Sequence, residues 1–177
     1  MICRWLNIWT VQSPRCAFQW RYVLQAELPV LNLGSGNDDL GFGDYAVHLD
    51  LLPFPHLRNF VQANAYHLPF ADESFDTVIM GDIVEHLERP FSAVDEAARV
   101  ARRRLVMSIW DEARLPLGYS PPRVDLSGHC WRFHPGMVEF LTMIPGWEVI
   151  EASYQPEVIH EGQQFYNWLI AAERKVD

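Results

Sequence analysis

The sequence predicts an α/β fold: a seven-stranded, mostly parallel sheet with helices on both faces and with shortened first crossovers. Short apolar runs recur along the 177 residues, and the central runs are continuously apolar. This pattern is typical of parallel strands that are covered on both faces. Between the runs, segments 90–103 and 135–144 have apolar residues at helical spacing, and each begins with a proline, which favours a helix start.

Each predicted strand is a short run that is rich in apolar residues. The seven runs are 29–33, 46–50, 59–62, 77–80, 105–110, 147–154 and 165–172. The last two are more mixed in polarity, which favours an antiparallel pair at the edge of the sheet. A short helical turn is predicted at 83–87, directly after the fourth strand.

The first two connections between strands, 34–45 and 51–58, are unusually short. A crossover between parallel strands usually takes at least about 10–12 residues including its helix. The N-terminal segment is therefore predicted to cover the sheet there, with Ser13 as the N-cap and Pro14 as the first residue of a helix through Glu27. A flexible N-terminal arm is the alternative. The predicted organisation is a helical extension, 1–28, packed on one domain, 29–177.

Composition limits the classes of partner. The net charge of −9 argues against a partner bound mainly through phosphate groups, so a nucleic acid is disfavoured. No apolar run is long enough to span a membrane, so no membrane partner is predicted. The three cysteines lack metal-ligand spacing and their number is odd. They therefore predict neither a metal site nor a disulfide framework, and a reduced, cytoplasmic compartment is expected.

A glycine-containing loop after the first predicted strand indicates a nucleoside site. Gly34, Ser35 and Gly36 follow that strand, and the second strand ends in Asp50. Glycines let the backbone approach a ligand closely, and a carboxylate at the tip of the next strand can accept both ribose hydroxyl protons. This arrangement is typical of a Rossmann-like sheet.

A nicotinamide-dependent dehydrogenase is one enzyme class with such a loop. Here the loop has no third glycine, and Asp38 and Asp39 stand where a pyrophosphate would have to lie. Their negative charges would repel it. The sequence therefore disfavours a dinucleotide.

Three further motifs make the pattern more specific. They are Leu-Pro-Phe at 68–70, Ser-Phe-Asp at 74–76 and Glu-His at 85–86. With the glycine loop, this series resembles the class I S-adenosylmethionine (SAM)-dependent methyltransferases, especially the type 11 methyltransferase-like group. The likeness covers about residues 30–110, and 129–150 more loosely. It implies a SAM-dependent methyltransferase.

The resemblance assigns a part of SAM to each matching residue. The methionine part falls to Gly34, Ser35 and Gly36, the ribose to Asp50, the adenine to Leu51, Asn64 and Ala65, and the methionine and reacting methyl to Gly81 and Asp82. Asn64 departs from the pattern, which usually has an acid there. Its amide oxygen can still accept from the adenine amine, at some loss of strength.

The predicted reaction is in-line attack on the methyl group of SAM, for which His86 and then His129 are the candidate bases, since histidine titrates near neutral pH. His86 could equally be structural, and for His129 a hydrogen-bonded surface residue is the favoured interpretation. The fourth strand is not followed by Asn-Pro-Pro-Tyr, Asp-Pro-Pro-Tyr or Pro-Cys, so a small-molecule acceptor remains by elimination. The alternative function is a catalytically silent SAM-binding or scaffolding domain. The arginines at 102–104 could bind phosphate, but are expected to offset the negative end of the preceding helix.

Overall fold

A seven-stranded sheet forms the centre of the molecule. The computed structural model describes residues 13–37, 41–122, 128–157 and 165–176. In chain order the sheet strands are β1 (Val30–Leu33), β2 (Ala46–Asp50), β3 (Phe60–Gln62), β4 (Phe75–Gly81), β5 (Ala101–Trp110), β8 (Trp147–Pro156) and β9 (Tyr166–Arg174). Two shorter strands, β6 (Gly118–Tyr119) and β7 (Trp131–Arg132), form a separate antiparallel ribbon.

The strand order β3-β2-β1-β4-β5-β9-β8 confirms the predicted fold class. The first five strands pair in parallel, and β9 pairs antiparallel with both β5 and β8. The predicted antiparallel pair is therefore present, although only β8 lies at the edge. The chain moves outward from β1 to β3 and then returns to place β4 on the other side of β1. Loops diverge at such a reversal and leave a crevice at the carboxyl ends of the strands.

Helix α1 (Pro14–Val23) covers the face that the short crossovers leave open. In the described part of the first crossover there is only a 3-10 helix, Gly43–Tyr45, and the second crossover has no helix. Phe18 and Tyr22 of α1 pack with strand residues in one apolar cluster. Ser13 caps α1 as predicted, because its Oγ accepts from the Cys16 N–H at 3.4 Å. The division at residue 28 remains a prediction.

The opposite face carries helices α2 (Pro90–Val100) and α3 (Pro135–Leu141). Val94 and Ala97 of α2 are buried with residues of β4 and β5 in the larger apolar core, which also includes Leu141 of α3. Helices thus lie on both faces, as predicted. None of the helices in the described ranges is long and apolar enough to cross a membrane.

All three helices end earlier than predicted. Helix α1 ends at Val23 rather than Glu27, whose N–H instead donates to Asp76 at 3.1 Å. Helix α2 ends at Val100 because the next residue, Ala101, begins β5 and pairs with Phe75 of β4. Nη2 of Arg174 donates to the carbonyls of residues 98 and 101, at 3.0 and 2.7 Å. Helix α3 ends where Thr142 Oγ1 donates back to the carbonyl of residue 138 at 3.1 Å.

The arginines at 102–104 lie in β5, so the interpretation that they offset a helix end was wrong. Arg102 is 3.4 Å from the buried carboxylate of Asp76. Arg104 is only 6% exposed and donates to Glu173 at 2.5 Å. Strand pairing directs these side chains to carboxylates of neighbouring strands, and the helix end is left to Arg174.

Arg99 links the segment around the Leu-Pro-Phe motif to α2. Its guanidinium donates to the carbonyls of Leu68 and Phe70, at 3.1 and 2.9 Å. It also donates to the carboxylates of Asp72 and Glu96, at 2.7 and 2.8 Å. We expect Arg99→Ala to lower the free energy of unfolding by about 1–3 kcal/mol, since several partly buried acceptors lose their donor. Urea unfolding measures this loss.

Arg103 provides a matched control on the neighbouring strand. Its side chain is 45% exposed, and its Nε lies 3.6 Å from Glu173. An exposed pair of this kind contributes little, so Arg103→Ala should change the free energy of unfolding by less than about 0.5 kcal/mol. Equal losses in the two variants would contradict the role given to Arg99.

Candidate functional site

A cavity of about 570 Å³ opens at the carboxyl ends of β1, β2 and β4. It therefore lies where the strand order reverses, the usual place for a ligand in such a sheet. Its volume falls within the range of small-molecule sites. The cavity is lined mainly by apolar side chains, with a few polar ones: Leu33, Gly34, Gly36, Leu49, Asp50, Leu51, Leu52, Phe54, Ala63, Asn64, Ala65, Tyr66, Asp82, Ile83, His86, Leu87 and Glu88.

The glycine loop closes tightly over the end of β2. The N–H groups of Gly34 and Ser35 donate to the carbonyl of Leu49, at 2.8 and 3.1 Å. Gly34 has a φ of +77°, and a Cβ on it would lie 2.3 Å from Cδ1 of Ile83. Both the backbone conformation and the close contact therefore require glycine at this position.

The carboxylate of Asp50 is held in place by two backbone amides. Oδ2 accepts from the N–H of Gly36 at 2.9 Å, and Oδ1 accepts from the N–H of Leu52 at 3.0 Å. Each carboxylate oxygen has a further lone pair for a ligand. Leu51 and Leu52, which follow in the chain, are 64% and 61% exposed and form an apolar rim. The site thus combines a fixed double acceptor with an apolar surface.

Asn64 and Ala65 lie on the cavity wall, and their role toward adenine stays a prediction. Oδ1 of Asn64 accepts from the N–H of Tyr66 at 2.9 Å, which fixes the side chain in a turn. An amide oxygen has two lone pairs, so a second donor can still bind it.

Asp82 follows β4 and already has protein partners. It forms an ion pair with Arg15 of α1, and Oδ1 accepts from Ser108 Oγ at 2.6 Å. Its φ of +49° places it in the left-handed region, which is uncommon for a residue other than glycine. Sequence reasoning missed Arg15, because nothing in its spacing indicates that α1 reaches this edge of the sheet.

The cavity brings together eight of the eleven residues assigned from the sequence: Gly34, Gly36, Asp50, Leu51, Asn64, Ala65, Asp82 and His86. Ser35, Gly81 and His129 are not among its lining residues. Ser35 Oγ donates to the Gly36 carbonyl at 3.3 Å, and Gly81 faces α1, where a Cβ would lie 2.7 Å from Nε2 of Gln19. Asp38 and Asp39 lie outside the described residues.

Sequence reasoning also missed several apolar residues of the wall. Leu52 and Phe54 follow Asp50 closely in the chain, and Ile83 and Leu87 flank the predicted turn after β4. Proximity to the strand ends was therefore a usable signal for them.

Two histidines from distant segments meet beside the cavity. The ring centroids of His86 and His129 are 4.4 Å apart. His86 ends a 3-10 helix, Val84–His86, which confirms the predicted turn. The N–H of Cys130 donates to the carbonyl of Glu85 at 2.9 Å and so fixes the segment of His129 against this helix.

Glu85 and His129 are buried, whereas His86 is exposed at the cavity wall, and removal of water from each group shifts its pKa. Removal of water, together with the nearby His129, lowers the pKa of His86 to about 4. Burial also lowers the pKa of His129, although Glu112 opposes the shift. Both imidazoles are therefore neutral near pH 7. Glu85 is fully buried, and this burial raises its pKa to about 7, against the effect of the Trp110 N–H that donates to Oε1 at 2.9 Å.

Comparison with known proteins adds a family match. A type 11 family model, described as a methyltransferase domain, matches residues 46–106. The matched segment runs from the start of β2 into β5. It includes Asp50, Asn64 and His86 but neither the glycine loop nor His129. A search of curated proteins gives no match.

Solved structures of methyltransferases share the fold. A SAM-dependent methyltransferase from Methanosarcina mazei is 16% identical with a TM-score of 0.68, over 90% of this chain and 98% of that chain. The 1,6-didemethyltoxoflavin-N1-methyltransferase of Burkholderia thailandensis, with its substrate and S-adenosylhomocysteine bound, is 13% identical. Its TM-score is 0.69, over 94% of this chain and 79% of that chain.

A third similar structure is the magnesium protoporphyrin IX methyltransferase of Synechocystis PCC 6803, with bound S-adenosylhomocysteine. It is 14% identical, with a TM-score of 0.60, over 90% of this chain and 80% of that chain. At these identities the structural likeness shows the fold alone.

Proposed function

We propose that this chain is a class I SAM-dependent methyltransferase, which transfers the methyl group of SAM to a small-molecule acceptor by in-line displacement. A methyltransferase-domain model that matches residues 46–106 supports the proposal. The observation that carries the proposal is the carboxylate of Asp50, which two backbone amides hold at the wall of the cavity. This fixed double acceptor suits the two adjacent hydroxyl groups of a ribose. SAM is the cofactor.

The cavity residues fit the parts of SAM in order. Asp50 accepts from the ribose hydroxyls, and the exposed side chain of Leu51 packs against the adenine. Asn64 and Ala65 lie beside the adenine amine, where Oδ1 of Asn64 takes a second hydrogen bond. Asp82 also lines the cavity, and the next residue, Ile83, contacts Gly34 of the glycine loop.

The methionine end is assigned to the carboxylate of Asp82, which lines the cavity and is paired with Arg15. A methionine moiety carries an ammonium group, which a carboxylate complements. Gly34 and Gly36 line the cavity, and Ser35 lies between them in the loop. Gly81 contributes by its small size, because it lets Gln19 of α1 pack against β4.

Catalysis requires alignment more than acid–base strength. Bound SAM supplies a methyl group on a positively charged sulfur atom. The sulfur is the leaving group and keeps the electron pair of the broken C–S bond. Holding the two reactants in line can contribute about 7–11 kcal/mol. A neutral imidazole can accept the proton that an oxygen or nitrogen acceptor loses, although a pKa of about 4 makes His86 a weaker base than an ordinary histidine. His86 is the first candidate, because it lines the cavity, and His129 beside it is the second.

A small molecule is the acceptor class that the surroundings favour. The net charge of −9 disfavours a nucleic acid. The structurally similar 1,6-didemethyltoxoflavin-N1-methyltransferase binds a small molecule, 1,6-didemethyltoxoflavin. The methyltransferase-domain match and the formed cavity favour an enzyme over a silent scaffold. The described cysteines, Cys16 and Cys130, are buried free thiols, which suits the reduced compartment of a cytoplasmic protein.

Substitution of the two histidines tests the catalytic part of the proposal. We expect His86→Ala and His129→Ala each to lower turnover by at least about tenfold at saturating SAM, in the range for loss of a general base. The measurement is transfer of a labelled methyl group to a panel of small alcohols, phenols and amines. His134→Ala, an exposed histidine of the same segment as His129, should keep full activity. Unchanged turnover in both cluster variants would make the base assignment wrong.

A further inference from the structure

We propose that Glu85, His86 and His129 bind a divalent first-row transition-metal ion, with Zn²⁺ the best match, beside the acceptor end of the cavity. This inference rests on the proposed function for the position of the acceptor, and it deepens the role of the same site. The three side chains come from the turn after β4 and from the segment before β7, so the fold alone brings them together.

One buried polar atom of the cluster lacks a protein partner. Glu85 is 0% exposed, and its Oε2 has no hydrogen bond. His129 is 8% exposed, and its Nδ1 makes no hydrogen bond, although it lies 3.6 Å from Oε2 of Glu112. A buried acceptor without a donor is unfavourable. The unsatisfied Oε2 of Glu85 beside two imidazoles therefore indicates a ligand that binds it.

The separation of the donor atoms suits one metal ion. One donor atom from each of the three side chains lies within 4.8 Å of the others. Tetrahedral metal–ligand bonds of about 2.0–2.1 Å place the donors about 3.3–3.4 Å apart. A pair of donors at the 4.8 Å limit must therefore close by about 1.4 Å on binding, through rotation of the side chains.

The donor set selects the type of metal. Two imidazoles and one carboxylate favour zinc, cobalt and similar ions, whereas magnesium and calcium favour oxygen ligands. Three protein ligands leave at least one coordination position open, as in catalytic rather than structural zinc sites. Because His86 lines the cavity, the open position can face the acceptor.

Surrounding groups hold the ligands in place. The N–H of Trp110 donates to Oε1 of Glu85 at 2.9 Å, which leaves Oε2 for the ion. Glu112, with its Oε2 3.6 Å from Nδ1 of His129, adds a second negative charge nearby. Such outer partners orient the ligands and strengthen metal binding.

A bound ion changes the role of the two histidines. They become ligands rather than proton acceptors, and an acceptor hydroxyl takes the open position. The ion lowers the pKa of that hydroxyl, which releases its proton to water and leaves an oxygen nucleophile for the methyl group. The acceptor class is then an alcohol or a phenol. Loss of turnover in histidine variants fits both roles, so a direct metal measurement is needed.

The test is titration of the metal-free full-length protein with Zn²⁺ by calorimetry and with Co²⁺ by visible absorption. We expect one equivalent to bind, and Glu85→Gln and His129→Ala to weaken binding by more than about 100-fold, beyond the usual cost of losing an outer partner. His134→Ala should bind as the unaltered protein does. Circular dichroism and SAM affinity, measured on each sample, identify any variant that fails to fold. If Glu85→Gln fails to fold, Glu85→Asp is tested in its place.

Several outcomes would overturn the inference: no stoichiometric binding, equal affinity in the cluster and control variants, or binding that Cys130→Ser abolishes. Tighter binding of Mg²⁺ than of Zn²⁺ would also contradict the imidazole donor set. The two proposals fail separately. SAM binding without metal binding would contradict only the proposed metal site. Metal binding without SAM binding would contradict the proposed function.

Discussion

Replacing Asp50 with alanine is expected to weaken SAM binding by about 100-fold or more, because two hydrogen bonds to a charged acceptor are lost at about 1.5 kcal/mol or more each. The same change leaves the N–H groups of Gly36 and Leu52 without their acceptor. The glycine loop therefore also loses the contact that holds it against the end of β2. Isothermal titration with SAM measures the effect.

Two further variants separate charge from shape. Asp50→Asn keeps the size of the side chain and one acceptor oxygen, so its affinity should lie between those of the alanine variant and the unaltered protein. Asp44→Ala removes a carboxylate that is 67% exposed and paired with Arg58, and it should leave SAM affinity unchanged. Retained affinity in Asp50→Ala would mean that the ribose binds elsewhere.

Gly34→Ala should have the second large effect, a loss of about 2–5 kcal/mol in the free energy of unfolding. The left-handed backbone at a φ of +77° costs an alanine about 1–2 kcal/mol. The contact of its Cβ with Ile83 adds about 1–3 kcal/mol of overpacking, since the nearest atom would be only 2.3 Å away. Denaturant unfolding measures this loss, and SAM affinity should fall with it.

Gly36 supplies the matched control for Gly34. Its φ of +59° is also left-handed, but a Cβ there would meet no atom within 4 Å. Gly36→Ala should therefore cost only the backbone term of about 1–2 kcal/mol. Adding Ile83→Ala to Gly34→Ala should recover part of the difference. Equal losses in the two glycine variants would show that the close contact does not matter.

The sheet could be predicted because its strands are buried on both faces. Continuous apolar runs such as β1 and β4 leave few alternatives to a buried parallel strand. The apolar run of β2 ends in Asp50, so the sequence also indicated the position of this acid. The short crossovers could be counted in the sequence, and they indicated that another segment must cover the sheet. Helix α1 supplies that cover, with Phe18 in the apolar cluster.

The errors came from contacts between residues far apart in sequence. Helix α2 ends where Arg174, more than 70 residues later, donates to its last carbonyls. Local periodicity contains no information about such a partner. The pair Arg15–Asp82 was missed for the same reason. The cluster of Glu85 and His129 likewise forms only when the segment before β7 folds against the turn after β4.

The most direct test of the SAM site is calorimetry of the purified full-length protein with SAM, S-adenosylhomocysteine and NADH in parallel. We predict that the two sulfur nucleosides bind with a stoichiometry of about one, as expected for one cavity of this kind, and that NADH does not bind. Binding of NADH without SAM, or of none of the three, would contradict the assignment of the cavity to SAM.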